Sequence, residues 1–117
     1  MKYFIALAAF AITTHAFAGN FSASAIPSGI DIVQAGTAGF LVTGNFGNPA
    51  GCTVNNAIFV KATHPQYAKL YATALAAFMG GKSVFAYARV CEPVLWYSVA
   101  SVTYNIVTDD DSFSIRN

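Results

Sequence analysis

Residues 63–91 read THPQYAKLYATALAAFMGGKSVFAYARVC, and the change of hydrophobic period inside this stretch sets the fold class. In its first half Tyr67, Leu70, Tyr71, Ala74, Leu75, Phe78 and Met79 recur at spacings of three and four, which predicts an amphipathic helix over residues 65–79. Thr63 stands as N-cap, Pro65 early in the first turn and Gln66 at the third helical position, and Gly80-Gly81 supplies a left-handed stop. In the second half the period drops to two. Val84, Ala86, Ala88 and Val90 share one parity of a strand over residues 82–91, and Phe85, Tyr87 and Arg89 share the other. One side is small and aliphatic, so a helix or facing strands can approach it. The aromatic side either completes the core or forms a contact surface.

Upstream, three segments read as strands. Residues 29–34 (GIDIVQ) and 39–44 (GFLVTG) flank a short turn and can form a hairpin; residues 45–51 (NFGNPAG) are a loop by their Asn, Gly and Pro content; residues 52–60 (CTVNNAIFV) alternate again. Residues 19–28 are a small-residue lead-in. Downstream, Glu92-Pro93 breaks the ladder, and residues 94–107 read as one bent strand or two short ones, followed by Asp109-Asp110-Asp111 and a solvated polar tail. Three strands, one helix, then one or two strands is an order without the strand-helix repeat of a doubly wound sheet. It fits a mainly β domain with one helix, a small OB-fold-like five-stranded barrel whose helix falls between the third and fourth strands. An open α+β sandwich is the rival.

The chain has 117 residues, 56% of them hydrophobic and 9% charged. Residues 1–18 (MKYFIALAAFAITTHAFA) carry Lys2, an apolar run and an Ala-Phe-Ala cleavage site, the layout of a secretory signal peptide, too short to span a bilayer. Cleavage after Ala18 leaves residues 19–117 as one domain, in which Lys61, Lys69, Lys82, Arg89 and Arg116 balance Asp31, Glu92, Asp109, Asp110 and Asp111. Five scattered cations argue against nucleic acid, and no later segment is apolar enough for an integral membrane span. The destination is secreted or periplasmic. So few charges over so much apolar surface favour a homo-oligomer or a bound partner; a monomer covered by Ser, Thr, Asn and Gly is the other possibility.

Cys52 and Cys91 are the only cysteines, and in an oxidising compartment their default is a single disulfide. Closing a loop of about 40 residues contributes about 4 kcal/mol in the chain-entropy account. Phosphate-loop, dinucleotide, serine-hydrolase and zinc-protease motifs do not occur, and no pair of acids sits in an apolar neighbourhood. His15 belongs to the leader, and His64 at the start of the helix is suited to hydrogen bonding rather than base catalysis. This reading therefore assigns no catalytic residue, metal ligand or cofactor. Trp96, Tyr97, Tyr87 and Tyr104, with Ser, Thr and Asn nearby, are residue types that stack on sugar rings and bond their hydroxyls, and equally types that fill a β core.

The helix and its flanks resemble the receptor-binding B subunits of bacterial AB5 toxins of the subtilase-cytotoxin and typhoid-toxin kind. The resemblance rests on Tyr71, Ala74, Leu75, Gly81 and Val84, and upstream on Ser28-Gly29-Ile30, Ile32, Gln34 and Thr37. It implies an OB-fold, a ring of five copies, a cell-surface glycan or glycoprotein as receptor, and a separate catalytic A subunit. It also implies that Ser28 holds the acidic group of the sugar. Two positions depart from the family pattern: Leu41 stands at the early disulfide cysteine and Ala88 at the ring-contacting tyrosine, with Tyr87 one residue before it. A shift of one residue on a strand points to the opposite face. The sequence thus reads as an exported, non-enzymatic glycan- or receptor-binding module with Ser28, Tyr87, Trp96 and Tyr97 at its site. The competing function is a secreted or periplasmic protein-interaction protein, an inhibitor or accessory subunit.

Overall fold

The β-rich order with a single helix is what the computed structural model contains; it describes residues 19–117, so the proposed signal peptide lies outside the described residues. The elements are β1 (Asn20–Phe21), β2 (Gly29–Val33), β3 (Gly39–Thr43), β4 (Ala57–Lys61), α1 (Tyr67–Gly80), β5 (Ser83–Ala88), β6 (Val90–Glu92), β7 (Tyr104–Ile106) and β8 (Phe113–Arg116). They form two sheets: a five-stranded one in the order β2-β3-β4-β7-β6 and a three-stranded one in the order β1-β5-β8. Neighbours are antiparallel except β4 and β7, which run parallel. The ladders do not close into one barrel.

Register explains how both faces of the larger sheet become core. Phe40 lies opposite Val60, Leu41 opposite Phe59 and Val42 opposite Ile58, so alternate residues point to opposite sides. On one side Phe40, Val42, Ile58 and Val60 pack with Ala74 and Ala77 of α1 and Val84 and Ala86 of β5. On the other, Val33, Leu41, Ala57 and Phe59 pack beneath Val94, Tyr104 and Ile106. A strand buried on both sides reads as an unbroken apolar run, as Phe40-Leu41-Val42 does.

The helix starts two residues later than its capping pattern predicts. Thr63 does not cap it; instead the buried His64 takes the turn, its Nδ1 accepting the Gln66 N–H at 3.0 Å while Nε2–H donates to the Thr108 carbonyl at 3.0 Å. The stop is as read: Gly81 is left-handed at φ 63°, and the Gly81 and Lys82 amides both bond to the Ala77 carbonyl. The buried stripe is rotated from the predicted one. Tyr67, Leu70, Tyr71, Ala74 and Ala77 face inward, whereas Leu75, Phe78 and Met79 are exposed. Two alanines against the small parity of β5 let helix and sheet approach closely, which the larger side chains would prevent.

Five parts of the strand reading also differ. The third predicted strand begins at Ala57 rather than Cys52, because Asn56 turns left-handed at φ 60° and its Oδ1 accepts the Gly47 N–H. The fourth is interrupted at Arg89, where β5 leaves one sheet and β6 joins the other. The predicted strand over 94–107 keeps only β7. The lead-in supplies β1, and the polar tail becomes β8: Asp111 Oδ2 accepts the Thr108 amide at 2.9 Å and its hydroxyl at 2.8 Å, turning the acidic run so that Phe113 pairs with Ala86 and packs on the core. Arg89 approaches Asp110 and Asp111 at 3.4 Å, which holds this turn against β5.

Candidate functional site

The segment between β6 and β7 is irregular and anchored. Thr37, in the turn between β2 and β3, donates its N–H to the Leu95 carbonyl at 3.2 Å and accepts the Leu95 N–H on Oγ1 at 3.1 Å. Gly36 makes that approach possible, since a Cβ there would lie 2.4 Å from the Leu95 oxygen. Ser98 closes the other side, its N–H and Oγ–H both donating to the Val94 carbonyl at 2.7 and 3.1 Å. Between these anchors Trp96 is held left-handed at φ 78° with its side chain 76% exposed. A bulky residue in that region costs about 1–2 kcal/mol. Tyr97 beside it donates its hydroxyl to Asp31 Oδ2 at 3.1 Å and meets the Tyr104 ring edge-on at 6.2 Å. Burial, then the hydrogen bond and charge of Asp31, hold the Tyr97 phenol above the usual tyrosine range.

Tyr87 belongs to a different surface. On the outer face of the three-stranded sheet its ring lies 5.0 Å from Phe21, which also meets Phe85 at 5.9 Å, and Arg116 sits over Phe85 at 5.4 Å. The small parity of β5 is buried and the aromatic parity is half-exposed, so β5 turns its aromatics away from the core. Ala88, the next residue, is fully buried. Ser28 is exposed at the start of β2, and its hydroxyl donates to the Thr43 carbonyl at 3.1 Å. The four residues therefore fall in three places: Trp96 and Tyr97 together, Tyr87 with Phe21 and Phe85, and Ser28 beside Thr43. Sequence reasoning missed Asp31 and Phe21. Asp31, the one charged residue in its strand, was the available signal; Phe21 gave none.

Acid-base equipment is tied up elsewhere. A cleft of about 140 Å³ opens between the end of β4, the turn before α1 and the ends of β6 and β7. Lys61 and Glu92 form an ion pair at its edge, and both ring nitrogens of His64 are already hydrogen-bonded. Cys52 and Cys91 form the disulfide expected of them, with Cα atoms 5.4 Å apart. Next to it the fully buried Asn105 accepts the Ala50 N–H at 2.9 Å and donates to the Val54 and Ala57 carbonyls at 3.4 and 3.3 Å. Among the described residues no three His, Cys, Asp or Glu side chains stand close enough to hold a metal ion, and no helix is long and apolar enough to cross a membrane. No family model, curated protein sequence or solved structure matches this chain.

Proposed function

We propose that the protein is an exported, non-enzymatic glycan- or receptor-binding module with Trp96, Tyr97 and Asp31 as its principal contact surface. The observation that carries this reading is the exposed indole held in a costly backbone conformation by a hydrogen-bonded loop. Strain of that kind persists where the surroundings impose it, and here they present a flat apolar face to solvent. Beside it, the Tyr97 hydroxyl is donated to Asp31, which leaves a lone pair on the Tyr97 oxygen and the other carboxylate oxygen of Asp31 as acceptors for a sugar's O–H groups. Ser28 and Tyr87, which lie on separate surfaces, belong to this proposal as further contact points.

Strand connectivity supports the finer fold reading. If residues 20–33 count as one bent strand and residues 83–92 as another, neighbours run first, second, third, fifth, fourth and back to first. The Ala25–Val84 bridge and the β1–β5 pairing make the last step. That order, with third and fifth parallel and a helix between third and fourth, is the one an OB barrel uses, and it supports reading the two sheets as an opened form of that fold, in keeping with the resemblance to toxin B subunits. Assembly as a homo-oligomer of up to five copies, with a catalytic A subunit as partner, belongs to the same proposal.

A glycan array comparing wild type with Trp96→Ala and Ser28→Ala tests the site. Loss of signal with Trp96→Ala is expected; equal profiles for all three proteins would remove both residues from it. Light scattering tests assembly, and the mass of a single chain at micromolar concentration would count against the ring. The second reading, a secreted or periplasmic interaction protein, draws on the Phe21–Phe85–Tyr87 face, whose Tyr and Phe rings suit a protein partner. A Phe21→Ser variant that keeps glycan signal but loses a co-purifying protein would favour it.

A further inference from the structure

The charge at the proposed sugar contact is negative and uncompensated. Asp31 is exposed and lies opposite Leu41, so it points to the side of the five-stranded sheet away from α1. Lys69 lies within α1 and Lys82 bonds back to its last turn, both across the sheet from Asp31. Lys61 is paired with Glu92, Arg89 with Asp110 and Asp111, and Arg116 sits over the Phe85 ring. Among the described residues, Asp31 enters no ion pair.

The hydrogen bonds have the same sense. Tyr97 spends its O–H on Asp31, so that what remains of the pair for a ligand is a phenolic lone pair and a second carboxylate oxygen. Both are acceptors. The Trp96 indole N–H lies in the ring plane, at the rim of the face on which a sugar stacks. Ser28, to which the resemblance gives the acidic group of the sugar, directs its N–H and its O–H at the Thr43 carbonyl, at 2.8 and 3.1 Å. A sugar hydroxyl brings a hydrogen to an acceptor site, and its bond to an ionised carboxylate is among the stronger ones. A sugar carboxylate is itself acceptor-only at neutral pH and brings none.

We propose that the surface of Trp96, Tyr97 and Asp31 selects glycans that end in an uncharged sugar and turns away those that end in an acidic one. This rests on reading the loop as the sugar contact and names the class of sugar it takes. The ring stacks on the indole, a hydroxyl donates to Asp31, and the same carboxylate repels a second negative charge.

Paired glycans that differ only in a carboxylate test it: a terminal glucose against glucuronate, and a terminal galactose against its sialylated form. Wild type should bind the neutral member of each pair about tenfold more strongly, the scale of like-charge repulsion near a protein surface, and Trp96→Ala should lose that binding. Asp31→Asn keeps an acceptor for the Tyr97 hydroxyl and should narrow the ratio to about twofold, as should 1 M NaCl on the unaltered protein. Asp109→Asn, at an exposed carboxylate elsewhere, should leave the ratio as in wild type. Equal or stronger binding of the acidic members, a ratio that persists in both Asp31→Asn and high salt, or an equal change in Asp109→Asn would each overturn the selection while leaving a sugar-binding module. A signal from neither member of any pair would remove the sugar reading itself, and the selection with it.

Discussion

On one side of the five-stranded sheet, Phe40 and Val42 are sealed by a helix and a second sheet; on the other, Leu41 and Phe59 lie beneath residues 93–103, a stretch with almost no regular structure. The first cover consists of regular elements packed through apolar side chains. The second is pinned by side-chain bonds to main chain, and just beyond its two ends a disulfide and a buried amide tie β6 and β7 to residues 50–57. A cover built from repeating elements spends its side chains on packing. One pinned at a few points leaves the side chains between the pins free to face outward, and Trp96 is among them.

The sharpest test of this contrast is to damage each cover in turn. Phe40→Ala removes a ring that has no solvent exposure and meets Tyr67 and Tyr71, both at 5.5 Å; it should cost about 5 kcal/mol and, by circular dichroism, leave little folded protein. Replacing both Cys52 and Cys91 with Ser should cost about 4 kcal/mol in denaturant midpoint, and the pinned side should lose amide-exchange protection before the helical side does. Asn105→Leu strands the Ala50 amide and two carbonyls and should cost about 2 kcal/mol; a neutral result would mean that the amide is not a pin. Trp96→Gly removes the left-handed penalty and should raise stability by about 0.5 kcal/mol, whereas a loss would show that the indole is packed rather than displayed.

The smallest effect is set by pH. Tyr97 has its phenol pKa raised above 10.0, so the folded state prefers the protonated ring. The associated stability is complete below the unfolded value and disappears as pH rises through the folded one. Absorbance titration at alkaline pH should show two late tyrosines, Tyr67, raised by burial, and Tyr97, and Asp31→Asn should bring only Tyr97 closer to the others.

Legibility from sequence follows the same division. Helix, β3, β5 and the disulfide were readable because each is specified by a local period or a residue type: the Gly80-Gly81 stop, the alternation of Val84, Ala86 and Ala88, the even cysteine count. The start of β4 and the loss of strand over 94–103 were not, because Asn56 and Trp96 adopt left-handed conformations imposed by distant partners; nor was the change of sheet at Arg89, because the apolar alternation runs through it unbroken. Rotation of the helix stripe also depended on tertiary fit, since Ala77 was chosen over Leu75 by what lies across from it. At the site, residue types identified Trp96, Tyr97 and Tyr87, but proximity separated Tyr87 from the other two and added Asp31.

The position of β8 has a consequence for the order in which the domain can be made. Its ladder to β5 joins Ser83 to Arg116 across 33 residues, and until Phe113–Arg116 has been synthesised one edge of β5 lacks its partner strand and the core lacks Phe113. Until those residues join, the smaller sheet is the two-stranded pairing of β1 with β5, too little to hold its shape alone.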